Sequence, residues 1–405
     1  MKKERPELNR PEIDVLGADL ESSPNTSDPV PKPENAEDPS AATESEVEEA
    51  RKSLNWRSII FGGVALVVII GVTLIFLRFT TDLRFKELPG RFKSMNGWYI
   101  LLAVFCLIGF IVGEGRAIAA SARAIGIKIG YWKSTVYSSA ELFFAALTPS
   151  ASGGQPAVAY FMSKDGIKLS KSSAILLNNT MHYTLSILAL SGCAMIWKGS
   201  FIFSPERSKS FIVLFIVGTI ANVLGFATCL LFMFAPGLVR ALLTPVYRLL
   251  ARIHIIKNLD ASLASFEKSL ADYGECQKLM RHSPLAQIKT FLWNVAVKLF
   301  SFVIAFCVYR AMGYTEKGLM DVFFVQILVM MAVNAVPLPG SVGVSEMMHK
   351  QLYHTLYTAH DIVPAMLFTR TISFYVMVLI VGTITVVSYV NIVKNRRKKS
   401  ELKGL

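Results

Sequence analysis

An all-α, polytopic membrane bundle is the fold class this sequence predicts, and three observations predict it. The 405 residues have a mean hydropathy of +0.45 and only 18% charged residues, against about 25% charged in ordinary soluble domains. Apolar residues gather in runs of about 20, the length that crosses a bilayer as a helix. Lys and Arg gather at the ends of those runs, as expected of cytoplasmic loops.

Charge is uneven along the chain. Residues 1–50 hold 14 Asp/Glu and 5 Lys/Arg, a net of −9, and the remainder carries a net of +22. A pI near 9.5 would suit nucleic acid, but the cations flank apolar runs, so nucleic acid is not an expected partner. Of the five cysteines, Cys106, Cys193, Cys229 and Cys307 lie inside apolar runs and Cys276 in a polar segment. No two form a CxxC, so they read as packing residues and not as a metal or redox site.

The elements follow in order. Residues 1–50 are rich in Pro, Glu and Ser without a hydrophobic period and read as a disordered acidic tail. The first apolar run begins only near Ser58, so no cleavable signal peptide is expected. A transmembrane domain over 55–395 follows, with full spans at 58–78, 98–115, 172–197, 210–235, 288–311 and 364–390. Between the fourth and fifth spans, 236–289 has apolar positions at helical spacing with charges between. It reads as amphipathic helices on the cytoplasmic leaflet, with a short helical bundle as the alternative. Residues 396–405 form a basic cytoplasmic tail.

Two runs differ from the spans. Residues 134–162 break at Thr148-Pro149-Ser150-Ala151-Ser152-Gly153-Gly154-Gln155-Pro156, and 319–357 break at Pro337-Leu338-Pro339-Gly340-Ser341-Val342-Gly343. Each is two short helical pieces around a turn, and neither piece crosses alone. Topology decides their reading. The basic segments 116–133 and 163–171 share the cytoplasmic side only if 134–162 enters and leaves by the same face. The basic segments 236–289 and 391–405 share it only if 319–357 does likewise. Six spans plus two re-entrant broken hairpins result, one from each face, in the inverted-repeat manner of secondary transporters. Loop 78–97, with five Lys/Arg, runs against this scheme, and the larger imbalance of the later loops outweighs it. The plainer alternative for each broken run is a kinked spanning helix.

The broken turns are the leading site candidates, because Pro149, Gly153, Gly154, Pro337, Pro339, Gly340 and Gly343 free backbone polar groups at short helix ends. Gln155 follows the first turn and Glu346 the second, and Glu141 lies about two turns before the first. Ionisable residues in apolar runs cost a few kcal/mol and usually face a cavity or a partner. On that ground Lys298 and Arg370 are the expected countercharges, with Glu346 pairing to one of them. Glu114, followed by Arg116, reads as interfacial, and His182 as a hydrogen-bonded packing residue. Asn178, Asn179, Asn222, Asn294 and Asn334 read as interhelical hydrogen-bond groups. His349, His354 and His360 are spaced by five and six, which sets no two on one helical face for a metal. No GxxxxGK[ST], HExxH or GxSxG occurs, so no cofactor, metal or catalytic residue is expected.

The two broken turns, the amphipathic segment between them and Tyr160 through Gly166 together resemble the flippase-like family named for the transmembrane region of lysylphosphatidylglycerol synthase. The resemblance covers about 55–395. It implies a multi-pass protein of the bacterial or archaeal cytoplasmic membrane that translocates a phospholipid or lipid-linked headgroup. It does not imply synthase activity, since no transferase domain is expected after the last span. Gln155 stands where the family often has an acid, and Gly340-Ser341 where it often has Gly-Gly. The partners implied are the lipid and the bilayer, with homo-oligomerisation left open. The alternatives are an integral membrane lipid-modifying transferase and a scaffold or regulatory membrane protein using the acidic tail.

Overall fold

The computed structural model describes residues 88–148, 151–204, 209–252, 259–334 and 344–401. The acidic tail and the expected span at 58–78 lie outside them. The described residues form helices and no strand. They are α1 (Leu88–Ser94), α2 (Gly97–Arg123), α3 (Tyr131–Leu147), α4 (Gly154–Lys164), α5 (Leu169–Ile202), α6 (Lys209–Phe234) and α7 (Pro236–Arg252). There follow α8 (Leu259–Arg281), α9 (Pro284–Ala311), α10 (Leu319–Asn334), α11 (Val344–Tyr353), α12 (Ile362–Arg370) and α13 (Met377–Glu401), with a π-helical turn at Thr371–Val376 between the last two.

Five of these stretches are long and apolar enough to cross a membrane: α2, α5, α6, α9 and the continuous Ile362–Ile392. They coincide with five of the six expected spans. Span 98–115 extends to Arg123, because Glu114 is taken up by protein and the Arg116 guanidinium stacks on the Tyr131 ring, 4.1 Å from its centroid.

The centre of the bundle is the antiparallel pair α2–α9. Asn96 caps α2 by accepting from Trp98 N at 3.0 Å, and its own N–H donates to Ala311 O at the end of α9. At the opposite end Ser283 Oγ donates to Ala124 O at 3.1 Å. Pro284 opens α9 where a missing N–H costs nothing, and Gly313, at φ +89°, closes it in the left-handed cap that glycine favours. Gly109 and Gly113 lie four apart on one face of α2. A Cβ there would stand 2.9 Å from Phe300 and 3.0 Å from Val297, so small residues set the close approach. Gly115 does the same toward α3, where a Cβ would collide with the Ser134 backbone.

Both broken runs fold back on themselves. Gly154, at the start of α4, packs on Glu141 and Ala145 near the end of α3. Asp165, just past α4, accepts from Lys133 Nζ and Tyr137 Oη, both at 2.5 Å, near the start of α3. The second run repeats the pattern. Gln326 Nε2 on α10 donates to Tyr353 Oη on α11 at 2.9 Å. Tyr314, ahead of α10, donates to Asp361, beyond α11, at 2.7 Å. Burial, and then the Asp361 carboxylate, hold the Tyr314 phenol above its usual range. At 1.5 Å per residue, α3 and α10 reach about 25 Å and α4 and α11 about 16 Å, each short of the roughly 30 Å hydrocarbon core.

These contacts sort the bundle into two ends. The first gathers the end of α2, the mouth of the α3–α4 hairpin, the start of α5, the end of α6, α8 and the start of α9. There Lys168 pairs with Asp272 at 3.3 Å, and Gln277 and Arg281 donate to Phe232 O and Met233 O. The second gathers the start of α2, the end of α9 and the mouth of the α10–α11 hairpin. There Lys198, at a kink in α5, pairs with Asp321 at 2.6 Å. The expected amphipathic segment is two helices, and α8 packs on the bundle through buried Cys276 and Met280.

Gly115→Val should cost about 3 kcal/mol of stability, since the atom it meets is rigid backbone. Gly192→Ala, with nothing within 4 Å of the added carbon, should raise stability by up to about 1 kcal/mol. Thermal unfolding in detergent measures both.

Candidate functional site

A polar stripe runs down the seam of α2, α5 and α9. Thr290, Asn294 and Lys298 recur every four residues on one face of α9, as Asn179 and Tyr183 do on α5. Asn178 Nδ2 donates to Ser121 Oγ at 2.9 Å, and Ser121 Oγ reaches Thr290 Oγ1 at 3.5 Å. One turn further, Asn294 Nδ2 donates to Asn179 Oδ1 at 3.2 Å. His182 Nδ1 bonds Asn178 O at 2.9 Å, which is the packing role expected of it. Asn178, Asn179 and Asn294 make the expected bonds between helices. Asn222 donates to Gly218 O at 2.8 Å and lies 3.9 Å from Met331 Sδ. The Asn334 side chain lies outside the described residues.

The stripe ends at mid-length in a cavity of about 290 Å³. Its wall comes from five separate parts of the chain: Phe110 and Glu114 from α2, Leu142 from α3, Tyr183 from α5, Lys298 from α9, and Gln326, Met330 and Ser345 from the α10–α11 hairpin. Both fold-back hairpins therefore contribute to one chamber. Its volume is at the lower edge of small-ligand pockets.

The charges in it belong together. Glu114 is 5% and Lys298 6% exposed. The Lys298 ammonium lies 3.4 Å from the centroid of the Tyr183 ring, a cation–π contact strengthened where water is excluded. Glu114 and Glu141 both lie within the electrostatic reach of Lys298, and Glu141 also within that of Glu114. Among the described residues neither Glu114 nor Lys298 makes a hydrogen bond or a direct ion pair, and Glu141 Oε2 is buried without a partner. A buried ion costs several kcal/mol unless others compensate it; Glu114 and Lys298 share the cavity wall, and Glu141 lies off it.

Of the residues singled out in the sequence, the structure brings Glu141, Gly154 and Lys298 to this region. A Cβ on Gly154 would stand 3.2 Å from Glu141 Cγ. Gly153 N donates to Thr148 Oγ1 at 2.9 Å, closing the first turn. Gln155 is exposed and donates to Thr180 Oγ1 at 2.5 Å, away from the cavity wall. Arg370 is 7% exposed, with its guanidinium carbon 5.7 Å from the Phe374 ring centroid, and is not on that wall. It immediately precedes the π-helical turn, where Thr369, Thr371 and Ser373 each bond the carbonyl four residues back. Pro149, Pro337, Pro339, Gly340 and Gly343 lie outside the described residues. Glu346 is on α11, and its side chain lies outside them too.

Glu114 was missed as a site residue, and the interfacial reading of it is corrected. It stands in the middle of the bundle with the same lysine that the sequence offered to Glu346. The local signal is Gly113-Glu114-Gly115. Two glycines flanking an acid mark a point where neighbouring helices close on the carboxylate. Tyr183, Gln326 and Ser345 were also missed, and nothing local in the sequence distinguishes them.

Two comparisons bear on this arrangement. Residues 60–382 match the family model described as the lysylphosphatidylglycerol synthase transmembrane region. A protein named UPF0104 membrane protein from Archaeoglobus fulgidus is 23% identical over 293 residues, covering 72% of this chain and 85% of the relative.

Lys298→Met should destabilise the protein by about 3–5 kcal/mol by leaving two buried carboxylates without their cation. Adding Glu114→Gln and Glu141→Gln should restore most of the loss. A triple variant no more stable than the single one, by thermal unfolding in detergent, would show that the groups are not coupled.

Proposed function

The chain belongs to the lysylphosphatidylglycerol synthase transmembrane-region family, and from that premise we propose that it is a flippase-like transporter of the bacterial or archaeal cytoplasmic membrane. Its substrate is a phospholipid or a lipid-linked headgroup. The single observation that carries the reading is the charged cavity, walled by residues of two hairpins that fold back from opposite ends of the bundle. In a bilayer these hairpins are re-entrant, and with the span expected from the sequence at 58–78 the total is six crossings. Irregular backbone and charge at mid-depth are tolerated where they line a polar cavity.

The first end of the bundle faces the cytoplasm. It holds Arg123, Lys128, Lys133, Lys168, Lys171, Lys278 and Lys289, and basic loops stay inside. α7 and α8 then lie at the cytoplasmic leaflet. The headgroup enters the cavity and meets Lys298, which attracts its phosphate, while Glu114 faces any ammonium it carries. The acyl chains stay in lipid. Gln155, Glu346 and Arg370 belong to the path that leads to and from the cavity.

The family's name also fits an integral membrane transferase that modifies a lipid in the same cavity, and one assay separates the two. In proteoliposomes, labelled lipids of several headgroup classes should change leaflet faster than in empty liposomes, with their chemical identity unchanged. Lys298→Met should slow this about tenfold or more, the equivalent of about 1.4 kcal/mol in barrier. No rate above empty liposomes for any class would remove the transport reading, and a new lipid species would favour the transferase. Wild-type rates in both Glu346→Gln and Arg370→Ala would remove those two residues from the path. Loss of function on deleting residues 1–50 would favour a scaffold role for the tail.

A further inference from the structure

Glu114 and Lys298 are opposite charges on one cavity wall, and they do not close on each other. They are 5% and 6% exposed, and both line the cavity. Among the described residues neither makes an ion pair or a hydrogen bond. Opposite charges attract strongly where water is excluded, so something must hold these two apart. Two features do. The Lys298 ammonium sits on the Tyr183 ring of α5, 3.4 Å from its centroid, a contact that gains strength when desolvated. Glu114 is held by its neighbours in the chain. A Cβ on Gly113 would stand 3.0 Å from Val297 Cγ2, and one on Gly115 2.4 Å from Ser134 O. α2 is thus pressed against α9 on one side and α3 on the other, and rolling it to bring the carboxylate to the lysine would break one of these contacts. Among the described residues the rest of the wall carries no charge. Gln326 donates to Tyr353 Oη at 2.9 Å, and Ser345 Oγ lies 3.3 Å from His349 Nδ1, while Phe110, Leu142 and Phe302 are apolar.

A ligand with one charge answers only one of the two groups. A lone phosphate on Lys298 faces the Glu114 carboxylate, and a lone ammonium on Glu114 faces the Lys298 ammonium. A buried charge left without its counterion is costly. A ligand that carries both charges answers both. Such a site rejects the singly charged ligand by repulsion as well as by lost attraction. We propose that the cavity selects a zwitterionic aminoalkyl phosphate headgroup, its ammonium on Glu114 and its phosphate on Lys298, with Tyr183 as the positioning residue that keeps the two charges open to it. This names the substrate class, and it rests on the transport reading for the movement of the lipid, whereas the binding preference does not.

Calorimetric titration of short-chain lipids into the full-length protein in detergent tests the preference without any transport. Dihexanoyl phosphatidylethanolamine should bind about tenfold more tightly than the anionic dihexanoyl phosphatidylglycerol, and than the net-cationic lysyl ester of that phosphatidylglycerol. Either of these bound as tightly as the zwitterion overturns the proposal. Glu114→Gln should remove the preference over phosphatidylglycerol. Tyr183→Leu should reduce it several-fold, and Tyr183→Phe should keep it. A Tyr183→Leu protein that is less stable but unchanged in its preference overturns the positioning role. Free phosphoethanolamine should compete only at far higher concentration than the lipid. Competition at equal concentration makes the ligand a soluble zwitterion and overturns the lipid headgroup. Preferential binding of phosphatidylethanolamine by a protein that moves no labelled lipid in proteoliposomes defeats the transport reading and leaves the zwitterion site standing.

Discussion

A lysine in the middle of an apolar helix is the constraint on which the rest of the structure turns. Lys298 sits mid-way along α9, where an uncompensated ammonium costs several kcal/mol. Its compensation comes from three other helices: Glu114 of α2, Glu141 of α3 and the ring of Tyr183 of α5. Each must reach it, so each helix must come close. The glycines of α2 are the means. Gly109 and Gly113 let α9 in, and Gly115 lets the α3 backbone in. Charge and close packing thus select the same helix arrangement.

The hairpins follow from the same demand. A straight α3 through the bilayer would carry Glu141 past the cluster without the turn that follows it. The α3–α4 hairpin instead reaches the cavity wall through Leu142, and Lys133 and Tyr137 on Asp165 tie its two feet together. The α10–α11 hairpin is tied in the same way, by Tyr314 on Asp361 at the feet and Gln326 on Tyr353 above them. Such ties hold short helices that could not bury their ends alone, and Leu142, Gln326, Met330 and Ser345 bring both hairpins to the cavity wall.

Much of the fold was legible in the sequence, because hydropathy and basic loops are local signals. Five spans and both broken runs stand where the apolar runs and Pro/Gly turns place them. The interhelical roles of Asn178, Asn179 and Asn294 were legible for the same reason, since an amide within an apolar run needs a partner. The pairing of Lys298 was not. Its partners are far away in sequence, and the register that joins Glu114 to Lys298 is set by glycine contacts between α2 and α9. Without that register Glu346 is as reasonable a partner as any. The depth of Glu114 was hidden by Arg116, whose charge suggests water but is met by the Tyr131 ring.

The central claim is that each broken run begins and ends on one side of the membrane, the two on opposite sides. Single cysteines at Lys128, Lys168, Lys317 and Thr355 in a cysteine-free background, labelled by an impermeant maleimide from either face of sealed vesicles, test it most directly. Positions 128 and 168 should react together from one face, and 317 and 355 together from the other. Reaction of 128 and 168 from opposite faces would contradict the account, for the first run would then be a crossing.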